Sequence, residues 1–342
     1  MRRTVKKYNH KKDYDRVMDF LRELYLDKGR QKGWLPQRFE DMEYRVNTLF
    51  MEGGAVNWHS CIRLWEEGGN LVGVAVGEDE ANLFPCIKAG YEALFIKMLD
   101  WKERMLKDKN LSLPKASIPD KPLPQDNILK PNQDLLPEKA FILTVAVTDE
   151  QGDNIAELRK RGYCLHKELT YLKAQTVTGN RKVLLPEGYK IITGNETQDA
   201  ENVIKKYRAV HLGFHPDDED NPTDKTVRAV SFWIREKAPL FDYKYEVMTQ
   251  NADGEICSYM YTWVDKKTGT AYIEPLSTRI AHRRKGLAKA MINATINILA
   301  KDKIKKCYVN PYNDERNAIY AACGFKTENI EYWYEKELWL FV

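Results

Sequence analysis

The chain has 342 residues, which is too long for one ordinary domain and predicts two. Its 54 basic and 50 acidic residues nearly cancel to a net charge of +4, a balance that argues against a nucleic-acid-binding protein. No apolar run is long enough to span a membrane, and the basic start Met1–Lys12 lacks the apolar core of a signal peptide. Six cysteines are scattered without metal-ligand spacing. We therefore expect a cytoplasmic protein without a metal or a membrane partner, as a monomer or homodimer.

The first half contains short motifs that return in the second half. A short helix pattern ends at Gly162 and another at Gly324, each before an aromatic residue, and Ala81–Pro85 is similar to Ala271–Pro275. The offset between the copies falls from 190 residues at Ala81 and Ala271 to 162 residues at Gly162 and Gly324, so the first copy should carry an insertion between these landmarks. Residues 108–139 are rich in proline and fit it, and we expect no helix or strand there.

The repeat predicts two tandem domains, residues 1–178 and residues 179–342. The first copy is degenerate, because Phe84 stands where the second has Glu274 and Leu158 stands where the second has Tyr320. It also lacks the cation cluster of the second copy. We expect the second copy to hold any cofactor, while binding of another ligand by the first copy stays open.

The second half alternates strand and helix patterns, which predicts an α/β fold with a mixed sheet flanked by helices. The predicted strands are Tyr189–Ile192, Tyr245–Thr249, Ser258–Val264, Ala271–Leu276 and Lys305–Asn310, and the predicted helices are Asp199–Leu212, Thr226–Arg235, Leu287–Leu299 and Glu315–Cys323.

A basic loop, Arg283-Arg284-Lys285-Gly286-Leu287-Ala288, joins a predicted strand to a predicted helix. The first N–H groups of a helix lack acceptors and lie at the positive end of its dipole, so such a loop can bind an anion. Gly286 allows close approach to the backbone, and Ala288 keeps the first turn open. Three adjacent cations suit a pyrophosphate better than a carboxylate.

Two motifs in this half resemble the GNAT acetyltransferase superfamily over roughly Gly188–Leu338. Arg283-x-x-Gly286-x-Ala288 is similar to its acyl-CoA pyrophosphate loop, and Asn313-x-x-x-Asn317-x-x-Tyr320-x-x-x-Gly324-Phe325 is similar to its closing strand–helix–strand unit. The resemblance implies two tandem GNAT-like domains, each a mixed, mostly antiparallel sheet flanked by helices. It also implies acetyl-CoA as co-substrate.

The resemblance further implies where acetyl-CoA binds. The strands Ala271–Leu276 and Lys305–Asn310 should separate around the pantetheine arm. The expected cofactor-binding residues are Leu276, Ser277, Thr278, Arg283, Arg284, Lys285, Gly286, Leu287, Ala288, Asn313 and Asn317. The N–H of Leu276 would bind the developing oxyanion. Asn313 is also a candidate for a helix cap that makes no cofactor contact.

Two residues are candidates for catalysis. Tyr320 matches the superfamily's acid position and would protonate the departing thiolate, with a packed core tyrosine as the alternative. Glu274 would act as general base on the amine, directly or through a water, with an orienting carboxylate as the alternative.

The predicted activity is transfer of an acetyl group from acetyl-CoA to a primary amine of a small molecule or peptide, by direct attack through a tetrahedral intermediate. A non-catalytic acyl-CoA sensor, a longer acyl donor and a thiol-sugar acceptor are the alternatives. The acidic run Asp217–Asp220 would attract a cationic amine or simply be a solvated loop, and Trp233 and Phe241 would line a pocket or fill the core.

Overall fold

The computed structural model describes residues 3–31, 33–46, 58–112, 141–214 and 235–338, and these residues group into two compact units. Unit 1 contains the described parts of residues 1–20, 56–169 and 331–342, and unit 2 contains those of residues 21–55 and 170–330. Along the chain, the strands and α-helices are β1 (Arg3–Lys7), α1 (His10–Lys28), α2 (Pro36–Asp41), β2 (Arg63–Glu67), β3 (Asn70–Val76), β4 (Asn82–Ile87), α3 (Leu94–Ser112), β5 (Phe141–Thr148), α4 (Gly152–Lys160), β6 (Cys164–Thr176), β7 (Tyr189–Thr193), α5 (Ala200–Phe214), β8 (Glu246–Asn251), β9 (Ile256–Asp265), β10 (Thr270–Thr278), α6 (Leu287–Lys301), β11 (Lys306–Val309), α7 (Asp314–Ala322) and β12 (Lys326–Leu338).

The sheet of unit 1 has the strand order β1-β2-β3-β4-β5-β12. Only β4 and β5 pair in parallel, and the last strand of the chain completes this sheet, because Glu331–Leu338 pairs antiparallel with β5. Helix α3 presents an apolar stripe to the sheet, since Leu94, Met98 and Leu99 are buried at helical spacing.

The sheet of unit 2 has the strand order β6-β11-β10-β9-β8-β7. Only β10 and β11 pair in parallel, and Lys173–Thr176 of β6 pairs antiparallel with β11. One face of this sheet carries α6, whose buried residues include Met291 and Leu299. The other face carries α5 together with Tyr25 and Leu35 from the start of the chain.

The described residues of 21–46 are bound to the sheet of unit 2 by polar contacts as well. Arg22 Nε lies 2.7 Å from Oδ2 of the buried Asp265, and Tyr308 donates a hydrogen bond of 3.1 Å to the Tyr25 hydroxyl. Gln37 Nε2 donates to the carbonyl oxygen of Thr270 at 3.0 Å. This segment therefore belongs to the core of the unit that carries the basic loop.

The predicted strands of the second half are confirmed to within about two residues at each end, as are the predicted helices at residues 199–212, 287–299 and 315–323. The predicted helix over Thr226–Arg235 lies outside the described residues except for Arg235. The expectation of no helix in 108–139 is wrong at its start. Helix α3 continues through Ser112, because no proline interrupts it before Pro114. Residues 113–139 lie outside the described residues.

The compact units differ from the continuous halves 1–178 and 179–342 that the sequence predicts. The difference arises because the described parts of residues 21–55 and Thr170–Thr176 of β6 belong to unit 2, while Glu331–Leu338 of β12 belongs to unit 1. The repeat itself is visible in local structure, since Gly162 and Gly324 both follow a short helix and both have positive φ, +82° and +94°.

Candidate active site

The pairing between the two parallel strands of unit 2 ends early, and the stretch beyond the last pair is called the gap below. The ladder joins Thr270–Tyr272 of β10 to Lys306–Tyr308 of β11. Beyond it, β10 continues to Thr278 and breaks its register with β9 over Ile273–Leu276. The ladder therefore stops one residue before the end of β11, while β10 extends beyond it from Ile273 to Thr278.

Glu274 and Tyr320 come from different elements and interact electrostatically at this gap. Glu274 is half-buried in the irregular stretch of β10, and Tyr320 is 8% exposed on α7. Burial raises the pKa of the Tyr320 phenol, and the negative charge of Glu274 raises it further, while Arg316 acts in the opposite direction. A phenol is already protonated at neutral pH at its ordinary pKa, and burial together with the charge of Glu274 makes it hold this proton more tightly.

Two asparagine side chains have buried amide atoms without a hydrogen bond to any described residue. Both Nδ2 and Oδ1 of Asn310 lack a partner, and so does Oδ1 of Asn317 on α7. Asn310 lies two residues beyond Tyr308, and Glu274 lies two residues beyond its ladder partner Tyr272, so both residues follow closely on the end of the ladder. Buried amides without partners are costly, and a ligand that both donates and accepts hydrogen bonds would satisfy them.

Asn310 is absent from the residues that the sequence singles out. The available signal was its place at the exit of the predicted strand Lys305–Asn310, because side chains at the carboxyl ends of parallel strands commonly face a ligand. The residue resembles an ordinary turn asparagine before Pro311, and only its buried amide atoms without a hydrogen-bond partner distinguish it.

The other predicted pantetheine residues have clear local contacts. Leu276, Ser277 and Thr278 are paired with β9, and the Ser277 hydroxyl donates to the carbonyl oxygen of Ala209 on α5 at 3.2 Å. Asn313 is the N-cap of α7, where its Oδ1 accepts the N–H of Arg316 at 3.0 Å.

The basic loop is built as an exposed helix start. Gly286 is the N-cap of α6 with φ +79°, and Arg284 also has a positive φ of +60°. The N–H groups of Arg284–Ala288 have no backbone acceptor among the described residues, and a Cβ built on Gly286 would meet no atom within 4 Å. Leu287 is buried and anchors the helix. The loop thus presents N–H donors to open space at the positive end of a helix.

The three loop cations have different surroundings. Arg283 donates to the carbonyl oxygens of Thr278 at 3.1 Å and Gly213 at 2.6 Å. Lys285 donates to the Tyr189 hydroxyl at 3.0 Å. Arg284 is exposed and has no ion pair or hydrogen bond to another described side chain.

His282 shares the Tyr189 hydroxyl with Lys285, at 2.8 Å from its Nδ1. Partial burial lowers the pKa of His282, and the positive charges of Lys285 and Arg279 lower it further. The imidazole is therefore neutral at physiological pH, and its hydrogen bond with Tyr189 helps to hold the loop in place.

Comparison with known proteins now bears on this arrangement. Residues 213–325 match the sequence model of the Acetyltransferase (GNAT) family. The chain carries a GNAT acetyltransferase domain. The match spans the gap, the basic loop and helix α7, so acyl transfer is the class of reaction that this fold supports. A search of curated proteins found no match.

Solved structures extend the likeness beyond the GNAT domain. A tandem GNAT protein from the clavulanic acid biosynthesis pathway aligns with 100% of this chain and 99% of its own, with a TM-score of 0.64 and 11% identity. A GCN5-related N-acetyltransferase from Sphaerobacter thermophilus aligns with 99% of this chain and 97% of its own, with a TM-score of 0.61 and 12% identity. The whole chain therefore has a tandem GNAT fold. None of the described helices is long and apolar enough to cross a membrane.

The corresponding strand of unit 1 differs from β10 of the GNAT domain. Val76–Gly73 of β3 pairs with Phe84–Ile87 of β4 in an unbroken register, so the irregularity found in β10 is missing there. Phe84 is buried, with its ring edge-to-face on Trp333 at 5.2 Å between centroids. Leu158 is fully buried on α4. Apolar packing thus occupies the positions where the GNAT domain has Glu274 and Tyr320.

The predicted acceptor residues are only partly covered by the structure. The acidic run Asp217–Asp220 and Trp233 lie outside the described residues. Phe241 stacks on Tyr261, with 5.1 Å between ring centroids and 3° between planes, and packs against the tyrosine-rich core of unit 2. Its described contacts are those of a core residue.

Proposed function

We propose that the GNAT domain transfers an acetyl group from acetyl-CoA to a primary amine by direct attack. The observation that carries the proposal is the early end of the parallel ladder at Tyr272 and Tyr308. It is accompanied by the unsatisfied amide atoms of Asn310 and Asn317 and by the protonated phenol of Tyr320. Acyl-CoA suits these groups, because its pantetheine arm contains amides and its diphosphate is an anion for the exposed N–H groups of the basic loop.

In this proposal each side chain has a separate task. Asn310 and Asn317 hydrogen-bond the pantetheine arm, and the backbone of Leu276–Thr278 supports it, with the Leu276 N–H near the acyl oxygen. Glu274 accepts a proton from the bound ammonium, directly or through a water, before the attack, because only the neutral amine is a nucleophile.

Tyr320 provides the proton for the thiolate that leaves. The phenol is neutral at physiological pH. It lies on α7, where the charge of Glu274 acts on it. Acetyl-CoA supplies the activated thioester when bound. The C–N bond forms and the C–S bond breaks, Tyr320 protonates the departing thiolate, and the second proton lost by the nitrogen restores the phenol.

Replacement of the phenol tests the catalytic assignment. Tyr320→Phe should lower turnover by about 10²-fold or more, because a general acid contributes on that scale, and should leave acetyl-CoA affinity nearly unchanged. Thiol release from acetyl-CoA across a panel of primary amines measures turnover, and calorimetry measures affinity. Tyr163→Phe removes a buried tyrosine hydroxyl from unit 1 and is the matched control. A loss of affinity with unchanged turnover would assign Tyr320 to binding instead.

A paired glycine substitution tests the cofactor site. Gly286→Glu places a carboxylate where the diphosphate should bind and should abolish binding of CoA. Gly90→Glu is the matched control in unit 1, because Gly90 has a similar φ of +85° and equally open surroundings. Both variants carry the same backbone strain and the same added charge. Equal CoA affinity in the two variants would contradict the loop assignment.

A further inference from the structure

The guanidinium of Arg283 bridges two elements rather than projecting alone from the loop. Its Nε donates to the carbonyl oxygen of Thr278, the last residue of β10, at 3.1 Å. A terminal NH2 nitrogen donates to the carbonyl oxygen of Gly213, near the end of α5, at 2.6 Å. A cation at the carboxyl end of a helix also interacts favourably with the helix dipole.

The two carbonyl groups belong to elements that already touch closely. A Cβ on Gly213 would lie 2.8 Å from Cβ of Ser277 and 3.1 Å from the N atom of Thr278, so only glycine allows this approach. The Ser277 hydroxyl holds the preceding turn of α5 through Ala209. Arg283 therefore fixes the basic loop to a junction at which α5 meets the strand that flanks the gap.

We infer that Arg283 is a positioning residue that couples the anion-binding loop to the pantetheine strand and to α5, and that Arg284 is the loop cation that meets phosphate. The inference rests on the proposed function. The planar fork of arginine can donate to two carbonyls at once, which a lysine ammonium on its flexible stem cannot reproduce in the same geometry. Lys285 has its own support, because Tyr189 binds its ammonium.

The two arginines then differ in which part of the cofactor they affect. Loss of the Arg283 fork loosens the end of β10, so it weakens binding of any ligand that lies along that strand, with or without phosphates. Loss of the Arg284 charge weakens only ligands that carry phosphate. The ratio of affinities for CoA and for pantetheine, which lacks all phosphates, therefore distinguishes the two roles.

The experiment measures the affinity of the full chain for CoA and for pantetheine in three variants. Arg283→Lys should weaken both ligands by a similar factor, leaving their ratio within about twofold of the unchanged protein. Arg284→Gln should weaken CoA roughly tenfold, the scale of one charge-assisted hydrogen bond, and leave pantetheine unchanged. Arg104→Gln is the control, since Arg104 is an exposed arginine of unit 1 that donates to a carbonyl of its own helix. A selective loss of CoA in Arg283→Lys, or no loss of either ligand, overturns the inference.

Hydrogen exchange of the ligand-free protein gives a second readout that does not depend on cofactor binding. Arg283→Lys should speed exchange at residues 209–214 and 276–280 together, whereas Arg284→Gln should not. Faster exchange in the loop alone would overturn the coupling. If the unchanged protein fails to bind CoA, the proposed function fails, while the exchange pattern still decides whether Arg283 couples the three elements.

Discussion

Expression of residues 179–342 alone should not give a stable GNAT domain. This fragment contains the basic loop, Glu274 and Tyr320, but it lacks two parts of unit 2. Those parts are the segment that includes α2 and the Thr170–Thr176 portion of β6, which pairs with β11. The edge of β11 would be left without the strand that covers it, and an exposed strand edge favours aggregation.

The cost can be estimated from the side chains that would be removed. Leu35, Phe39 and Leu172 are each at most 1% exposed, and Tyr25 is 9% exposed. At about 2 kcal/mol for each large apolar side chain buried, these four contribute about 8 kcal/mol. The buried Asp265 would also lose its ion pair with Arg22. The sum is comparable with the whole free energy of unfolding of an ordinary domain, about 5–15 kcal/mol.

The assay compares the fragment with the full chain by size-exclusion chromatography and by thermal unfolding followed by circular dichroism. We expect aggregation, or a broad transition without cooperativity. Co-expression with residues 1–178 is the control, because that fragment supplies both missing parts and should restore a cooperative transition and CoA binding in a two-fragment complex.

A different outcome would refute this reasoning. If 179–342 is monomeric, unfolds cooperatively within a few degrees of the full chain and binds CoA equally well, the missing segments are dispensable. In that case β12 would have taken the place of β6 beside β11, and cross-linking of cysteines placed on β11 and β12 would show it.

Three further changes have defined expectations. Burial lowers the pKa of Lys102 on α3 from 10.5 to about 8. The cost of burying the charged amine is therefore greatest below pH 8 and decreases as the pH rises toward 10.5. Lys102→Met should therefore raise the free energy of unfolding at pH 7 by up to about 3 kcal/mol, and denaturant titrations should show a smaller difference at pH 10. A difference that does not change with pH would contradict the burial argument. Gly213→Ala should lower the melting temperature and CoA affinity together, because the new methyl group would meet Ser277 at 2.8 Å, and an unchanged melting temperature would show that α5 can shift freely. Asn310→Leu should weaken pantetheine binding while slightly raising thermal stability, since it removes buried amide atoms without partners; stronger binding would exclude Asn310 from the cofactor site.

The sequence was sufficient for the local structure of the described residues of the GNAT domain. Its strands and helices followed from periodicity and turn residues, because these patterns act within a few residues of one another. The N-terminus of α6 was predictable for the same reason, since Gly286 alone suits the positive φ at the start of that helix. Phe84 and Leu158 also indicated at sequence level that the first copy differs in chemistry.

Tertiary structure alone decided which strand completes which sheet. β6 and β12 each follow a short helix and a glycine of positive φ, so their local sequences do not specify a partner strand. The roles within the basic loop were also decided at this level. Arg283, Arg284 and Lys285 are equal cations in the sequence, and only the carbonyls of Gly213 and Thr278 and the hydroxyl of Tyr189 separate them. Gly213 and Tyr189 are 70 and 96 residues away from the cations that they bind, so no local pattern encodes these contacts.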